Sequence, residues 1–400
     1  MARHVIAGID PGDYAVKVCV AEIRSDRNYP RLLAVVKKES HGFRRGHIID
    51  QEEAREAIGD AIRTAEKQAG VKIKRAYVSI DGQTLTSQLL DGSTIVSRAD
   101  SEITEHDIRR TVETASNKIP DLSNREILDI IPLYFKIDGK KILKKPIGMK
   151  GSKLEVRFLF VTCLAHHVDD LYQVIEQNHV GIEKLLPAPV AASFVTLNKT
   201  QKIAGCVLAD IGAGTTKIAV YEEGMLLSTE SFDVGSQDVT NDIALGLKIP
   251  LEDAENIKVE RASRQFTDKR LAEIIEARLA DIFELIENHL KKLGKSELLP
   301  AGIIICGGGS YISKIDLLAS TALNLPGKLV TQLYPQNAKL EGVRPDEAGR
   351  IYLKDPTFAT CYGLIVYGQN PKENMSLEGR GSLAGPLVGS VAKWFKTFLP

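Results

Sequence analysis

The stretch "VLADIGAGTTKIAVYEEG", Val207 to Gly224, reads as an apolar strand, a tip, and an apolar return strand carrying Lys217. Asp210 stands at the rim. Gly212, Ala213, Gly214, Thr215 and Thr216 form the tip. A simple hairpin closes on a two-residue Asn-Gly or Asp-Gly turn; this tip is longer and richer in hydrogen-bond donors than reversal requires. The same pattern occurs in "AGIDPGDYAVKVCV", Ala7 to Val20, where Asp10, Gly12, Lys17 and Val20 each precede their counterparts Asp210, Gly212, Lys217 and Val220 by 200 positions. One D-x-G turn is common. Two in register, half a chain apart, predict a duplicated domain with two matched hairpins.

A third stretch, "AGIIICGGGSYISKIDLL" (Ala301 to Leu318), predicts a buried strand at Ile303–Cys306, three glycines (Gly307, Gly308, Gly309) and a helix after Ser310. Glycines there let a backbone approach a ligand closely, and a helix N-terminus favours phosphate or polar ligand atoms. Alone, the segment reads as a tight strand-to-helix turn. With the two hairpins it reads as one wall of a ligand site. Glycine-rich tips present N–H groups to phosphate oxygens, and Thr215 and Thr216 add hydroxyl donors. Asp10 and Asp210, facing each other, would hold a hydrated Mg²⁺ through water, because Mg²⁺ keeps its waters readily. The combination predicts a nucleoside triphosphate between two similar lobes. The rival Walker pattern is absent: Gly294-Lys295-Ser296 follows a predicted helix, with His289 where the leading Gly belongs, and reads as a helix C-cap.

The 52 Lys and Arg residues balance 52 Asp and Glu, which removes a global electrostatic pull toward nucleic acid. Cys19, Cys163, Cys206 and Cys306 lie in or beside apolar runs with no C-x-x-C spacing. They are expected as buried thiols in a reducing cytosol. No apolar run approaches the ~18 residues of a membrane span, and "MARHVIAGID" is too short and too soon polar for a signal peptide. Periodicity predicts helices at Glu52–Ala69 (capped by Gly70), Glu105–Ser116 (opened by Thr104 with Asp107), His166–Gln177, Asp238–Gly246 and Leu271–Leu293. The lysine-rich Gly139–Lys153 reads as a solvated ribbon ahead of an anionic partner site. His166 and His167 read as surface histidines, since no Cys, Asp or Glu completes a metal set. Glu255 and Lys258 have the spacing of an i,i+3 surface pair.

These motifs resemble the actin/Hsp70/sugar-kinase ATPase superfamily. Asp10–Gly12 is similar to its first phosphate motif, Asp210–Thr216 to its second, and Gly307–Gly309 to its adenosine motif. Further stretches resemble the bacterial cell-division actin family FtsA: "SHGFRRGHIIDQEEAREAI" (Ser40 to Ile58), "YVSIDGQTLTSQ" (Tyr77 to Gln88), "ITEHDIRRTVETA" (Ile103 to Ala115) and "VGSQDVTNDIALGLKIPLEDAENIKVE" (Val234 to Glu260). The pilus-assembly family PilM shares much of the set. The resemblance implies an α/β, actin-like ATPase fold of two duplicated ribonuclease-H-like lobes around a nucleotide cleft, each with an inserted subdomain. Lobe 1 would comprise 1–84 and 163–200 with an insert at 85–162; lobe 2 would comprise 201–233 and 301–368 with an insert at 234–300. A linker at 369–384 and an amphipathic helix at 385–400 would follow.

It further implies ATP and Mg²⁺ as ligands, with nucleotide contacts from Gly12, Asp13, Tyr14, Lys17, Gly212, Ala213, Gly214, Thr215, Thr216, Gly235, Glu255, Lys258, Gly307, Gly308 and Gly309. Shape-determining actins carry Glu-Pro where this chain has Ala188-Pro189. Ala188 cannot orient water, so no catalytic residue is assigned, and slow turnover as an assembly switch is expected. Pro11 and Ser236 depart from the family pattern and are expected to weaken nucleotide affinity. Implied partners are further copies in filaments, the FtsZ C-terminal peptide on 234–300 and other division proteins on 85–162. A PilM-like platform and a small-molecule kinase remain alternatives. A kinase needs an Asp base in the cleft, and the sequence offers none beyond the two motif aspartates.

After Gly368 the sequence turns polar and aperiodic, as a linker does. Then "LVGSVAKWFKTFLP" places Leu387, Val388, Val391, Trp394, Phe395, Phe398 and Leu399 on one helical face, with Lys393 and Lys396 opposite. A docked core helix, a partner-binding helix and a membrane-surface helix compete. The preceding linker argues against the first, and the aromatic–lysine mix favours the third, as does the resemblance. The expected location is peripheral, on the cytoplasmic face of the cell membrane at midcell.

Overall fold

Two five-stranded sheets form the frame, each built on a run of consecutive strands. The computed structural model describes residues 4–23, 30–97, 100–142, 144–261, 269–333 and 354–369. The linker and terminal-helix expectations, including Leu387, Val388, Val391, Lys393, Trp394, Phe395, Lys396, Phe398 and Leu399, lie outside the described residues.

In the first lobe β1 (His4–Pro11), β2 (Ala15–Ile23) and β3 (Arg31–Glu39) form an antiparallel meander, and β6 (Arg75–Ile80) and β11 (Gly181–Pro187) extend it in the order β11-β6-β1-β2-β3. A short hairpin, β4 (Phe43–Arg44) and β5 (His47–Ile48), precedes helix α1 (Gln51–Ala69). In the second lobe β12 (Cys206–Ile211), β13 (Thr216–Glu222) and β14 (Met225–Phe232) repeat the meander, and β15 (Gly302–Cys306) and β16 (Gly327–Leu329) give the order β14-β13-β12-β15-β16. The first strand of each meander pairs in parallel with a later strand, β1 with β6 and β12 with β15. The repeat holds in register: Asp10 lies opposite Lys17, and Asp210 opposite Lys217. Central strands such as β12 are buried throughout, which explains their continuous apolar runs.

The first insert is a separate sheet, β7 (Thr86–Ile95), β10 (Lys153–Leu164), β8 (Arg125–Ile137) and β9 (Lys140–Ile142), with α2 (Glu105–Ser116). The helix opens where expected: the Thr104 N–H and hydroxyl both donate to Asp107, at 2.9 and 2.7 Å. Phe158, Phe160, Ile103 and Ile108 centre its own core. The second insert is helical, with α6 (Ser236–Leu247), α7 (Leu251–Arg261) and α8 (Lys269–Lys292); Leu271, Ile275, Leu279, Ile282, Phe283, Ile286 and Leu290 turn one stripe of α8 inward. Helix α3 (Ala165–Gln177) packs behind lobe 1, α5 (Lys199–Ala204) leads into β12, and α9 (Ile315–Leu323) covers β15.

Between the lobes, α4 (Ala188–Thr196) crosses α10 (Ala359–Gln369), a helix buried from Ala359 to Gly368. The crossing is tight. A Cβ on Gly363 would stand 1.9 Å from the Ala191 carbonyl oxygen.

Two expectations are corrected. The run after Ser310 does not begin an α-helix there: Gly308–Tyr311 forms one 3₁₀ turn, and α9 starts only at Ile315, after Lys314 in the left-handed region (φ 62°). The glycines therefore end in a tight turn with no long helix dipole behind it. His167 is buried at 4% exposure, because the β4–β5 hairpin folds over it, while His166 is exposed. All five cysteines are buried and free. Among the described residues no helix is long and apolar enough to cross a membrane.

Gly363→Ala forces α10 away from α4. Overpacking of this kind costs about 1–3 kcal/mol, so the thermal midpoint should fall by several degrees; an unchanged melt would show that the crossing has slack.

Candidate functional site

The two hairpin tips face each other, and the turn after β15 closes the third side. Together they enclose a cavity of about 450 Å³. Lobe 1 contributes Asp10, Gly12, Asp13, Tyr14 and Lys17; lobe 2 contributes Asp210, Gly212, Ala213 and Thr215; α7 contributes Glu255 and Lys258; and Gly307 and Gly308 complete it. Gly214, Thr216, Gly235 and Gly309 do not line it. Thr216 is the first residue of β13 and is fully buried, so its hydroxyl faces the core. A Cβ on Gly309 would meet Ile211 Cγ2 at 2.4 Å, and one on Gly235 would meet the Ala213 oxygen at 2.3 Å. These glycines let protein loops close on each other. Gly308 is different: a Cβ there meets no heavy atom within 4 Å, so its bare backbone edges open space.

Charges alternate through the cleft. Lys17 Nζ lies 3.0 Å from Asp10 Oδ2, and Ser79 Oγ donates to Asp10 Oδ1 at 2.7 Å. Lys217 Nζ lies 3.0 Å from Asp81 Oδ2 and 3.4 Å from Asp210 Oδ2. Thr360 Oγ1 donates to Asp210 Oδ2 at 3.3 Å. Burial pushes the Asp10 carboxyl up, but Lys17 and Lys217 outweigh it and hold the group below its ordinary range. Burial pulls Lys217 down, but Asp210, Asp81 and Asp10 hold it well above its ordinary value. Among the described residues no cation contacts Asp13 in this way. Burial first, then the charge of Asp81, raise it to about 6, against the pull of a 2.8 Å hydrogen bond from the Gly46 N–H.

Asp81, Lys217, Lys37, Gln237, Tyr311, Thr357 and Thr360 also line the cavity and were not assigned from the sequence. Lys217 was accessible as the repeat of Lys17. Asp81 was not, because it follows β6, and only the parallel pairing of β6 with β1 brings it to the first hairpin. His167 acts one layer back. Its Nε2–H donates to the Gly46 carbonyl at 3.0 Å and its Nδ1 accepts from Thr84 Oγ1 at 2.7 Å. Burial pulls it down to about 4, so it braces as a neutral ring the turn whose N–H holds Asp13. Glu255 and Lys258 pair at 2.7 Å, and Lys258 also donates to the Ser236 carbonyl at 3.0 Å; the i,i+3 pair is real and also faces the cavity. Ala188 begins α4, is buried and does not line the cavity. Among the described residues no three His, Cys, Asp or Glu converge to hold a metal; Asp10 and Asp210 both line the cavity, each against a lysine, Lys17 and Lys217.

Two matched hairpins, a shared cleft and an insert on each lobe define an actin-like ATPase fold. A chain of the PilM–PilN type IV pilus biogenesis complex superposes with a TM-score of 0.69 at 17% identity, covering 92% of this chain and 99% of its own length. MreB5 of Spiroplasma citri, solved bound to ADP, gives 0.53 at 13% identity over 93% and 98%. The sequence relations are narrower. Residues 207–363 match the family "Cell division protein FtsA", and residues 82–162 match the "SHS2 domain inserted in FTSA". The cell division protein FtsA of Pseudomonas aeruginosa is 27% identical over 94% of this chain and 93% of its own, and that of Bacillus subtilis 29% over 94% and 86%. This chain belongs to the FtsA family of cell-division proteins.

The Asp13 carboxyl, raised on folding from 3.8 to about 6, favours the folded state only while protonated; that contribution is complete below about pH 4 and is lost as pH rises through 6. Asp13→Asn keeps the acceptor for Gly46 without the charge. The variant should be more stable than wild type by about 1–2 kcal/mol at neutral pH, and equally stable at about pH 4. Denaturation midpoints at the two pH values check this; an equal offset at both would assign the effect to packing.

Proposed function

We propose that this FtsA-family protein binds ATP with Mg²⁺ in the interlobe cleft and uses the nucleotide as a switch for assembly into filaments. The observation that carries the reading is the cavity itself, with paired D-x-G tips on two lobes and the open backbone at Gly308. Phosphates would lie against the Gly12–Tyr14 and Gly212–Thr215 N–H groups, ribose and base against Glu255, Lys258 and the Gly307–Gly308 turn. Asp10 and Asp210 would hold hydrated Mg²⁺, which neutralises phosphate charge. Ala188 offers no group to orient a water, which supports slow hydrolysis.

In this reading filaments lie on the cytoplasmic face of the membrane at midcell, held by the terminal face of Leu387, Val388, Val391, Trp394, Phe395, Phe398 and Leu399 with Lys393 and Lys396. The 234–300 insert would take the FtsZ C-terminal peptide, and the 85–162 insert other division proteins. A single short amphipathic helix binds membranes reversibly; assembly multiplies it through avidity. Co-sedimentation with anionic liposomes tests the coupling. Full-length chain should pellet more with Mg-ATP than without, and a chain ending at Gly379 should stay in solution. Equal pelleting of the two would overturn the anchor.

Gly308→Val tests the nucleotide half. Its backbone lies outside the left-handed region and its Cβ finds open space, so the apo protein should melt as wild type does. Affinity for Mg-ATP should fall at least about tenfold, read by fluorescence titration. Unchanged affinity would place the nucleotide elsewhere.

A further inference from the structure

We propose that the Asp81 carboxylate is an internal competitor for nucleotide phosphate, a cross-cleft anion that sets the affinity of the site. This rests on the nucleotide reading above. Asp81 belongs to lobe 1, directly after β6, and is nine-tenths buried. Its partners belong to lobe 2. Thr215 Oγ1 donates to Asp81 Oδ2 at 3.2 Å, and Lys217 Nζ lies 3.0 Å from the same oxygen. Thr215 and Lys217 supply a hydroxyl and an ammonium on the second hairpin, the donors a phosphate oxygen would take. In this structure one carboxylate oxygen takes both.

A carboxylate oxygen and a phosphate oxygen accept the same charge-assisted hydrogen bonds at the same distances. They cannot share them, because two anions in contact in a buried cleft repel strongly. Asp13 adds to the repulsion from the first hairpin tip. Asp81 has little room to step back within lobe 1: a Cβ on Gly46 would stand 1.9 Å from Asp81 Oδ1, and the hydrogen bonds of Asp13 and His167 fix that turn. A phosphate reaching Thr215 and Lys217 must therefore break the Asp81 bridge and part the hairpins slightly. The measured affinity is the intrinsic one reduced by the fraction of molecules in which the bridge is open. The same bridge ties lobe 1 to lobe 2 in the absence of ligand, so nucleotide exchanges one cross-cleft link for another.

The test uses the full-length chain, with a fluorescent ATP analogue and Mg²⁺ as probe, comparing wild type with Asp81→Ser and Asp81→Asn. The asparagine keeps the shape and an acceptor for Thr215 should the serine variant fold poorly. Both should bind about tenfold more tightly or better, with a lower melting midpoint without nucleotide and a larger upward shift with it. Wild-type binding with equal or weaker binding in Asp81→Asn overturns the competitor and leaves the nucleotide site standing. Equal affinity with slower turnover also overturns it, and makes Asp81 a water-orienting base instead. Nucleotide bound by none of the three proteins overturns the site reading and this inference together.

Discussion

The buried ion pairs at the meeting of the two hairpins constrain the rest of the molecule. Asp10 with Lys17, and Asp210 with Lys217, are cross-strand pairs on the two repeats, and both sit where the lobes converge. Removing one partner from such a pair strands a charge in low dielectric, at a cost of about 3–5 kcal/mol. The pairs therefore specify the register of both hairpins, and with it the facing of the two tips. Everything about the cleft follows from that facing: the glycine backbones turned inward, the acids at the rim, and the third wall supplied by the turn after β15. Lys217 has the further task of reaching Asp81 in the opposite lobe, so the same cation that fixes a strand pair also fixes the lobes.

How much of this was legible depended on whether a residue's partner lay nearby in sequence or in a repeat. The hairpins could be read because their register is local and occurs twice. The long stripe of α8 and the caps of α1 and α2 could be read because helical spacing is local. Asp81 could not, since a parallel crossover through α1 separates it from the strand it sits beside. Gly308 and Gly309 are adjacent and look alike as letters, yet one borders open space and the other packs on Ile211; only the third dimension separates a ligand-facing glycine from a packing glycine. His167 read as a surface residue because the hairpin that buries it comes 120 residues earlier. The helix after Ser310 was displaced because Lys314 takes a left-handed conformation that hydrophobic periodicity does not register.

The fold and the family relation also order the remaining parts. The first insert has its own core, while the second lays a helical layer against the lobe-2 sheet and brings Glu255 and Lys258 to the cleft. The crossing of α4 and α10, sealed at Gly363 against the Ala191 carbonyl, lies between the lobes as a close-packed contact with no slack.

The most direct measurement is amide hydrogen exchange across the chain with and without Mg-ATP. The account predicts simultaneous protection of three separated segments, 8–17, 208–217 and 303–311, because one ligand touches both lobes and the glycine turn at once. Protection confined to one lobe, or absent from all three, would contradict a nucleotide held between matched hairpins.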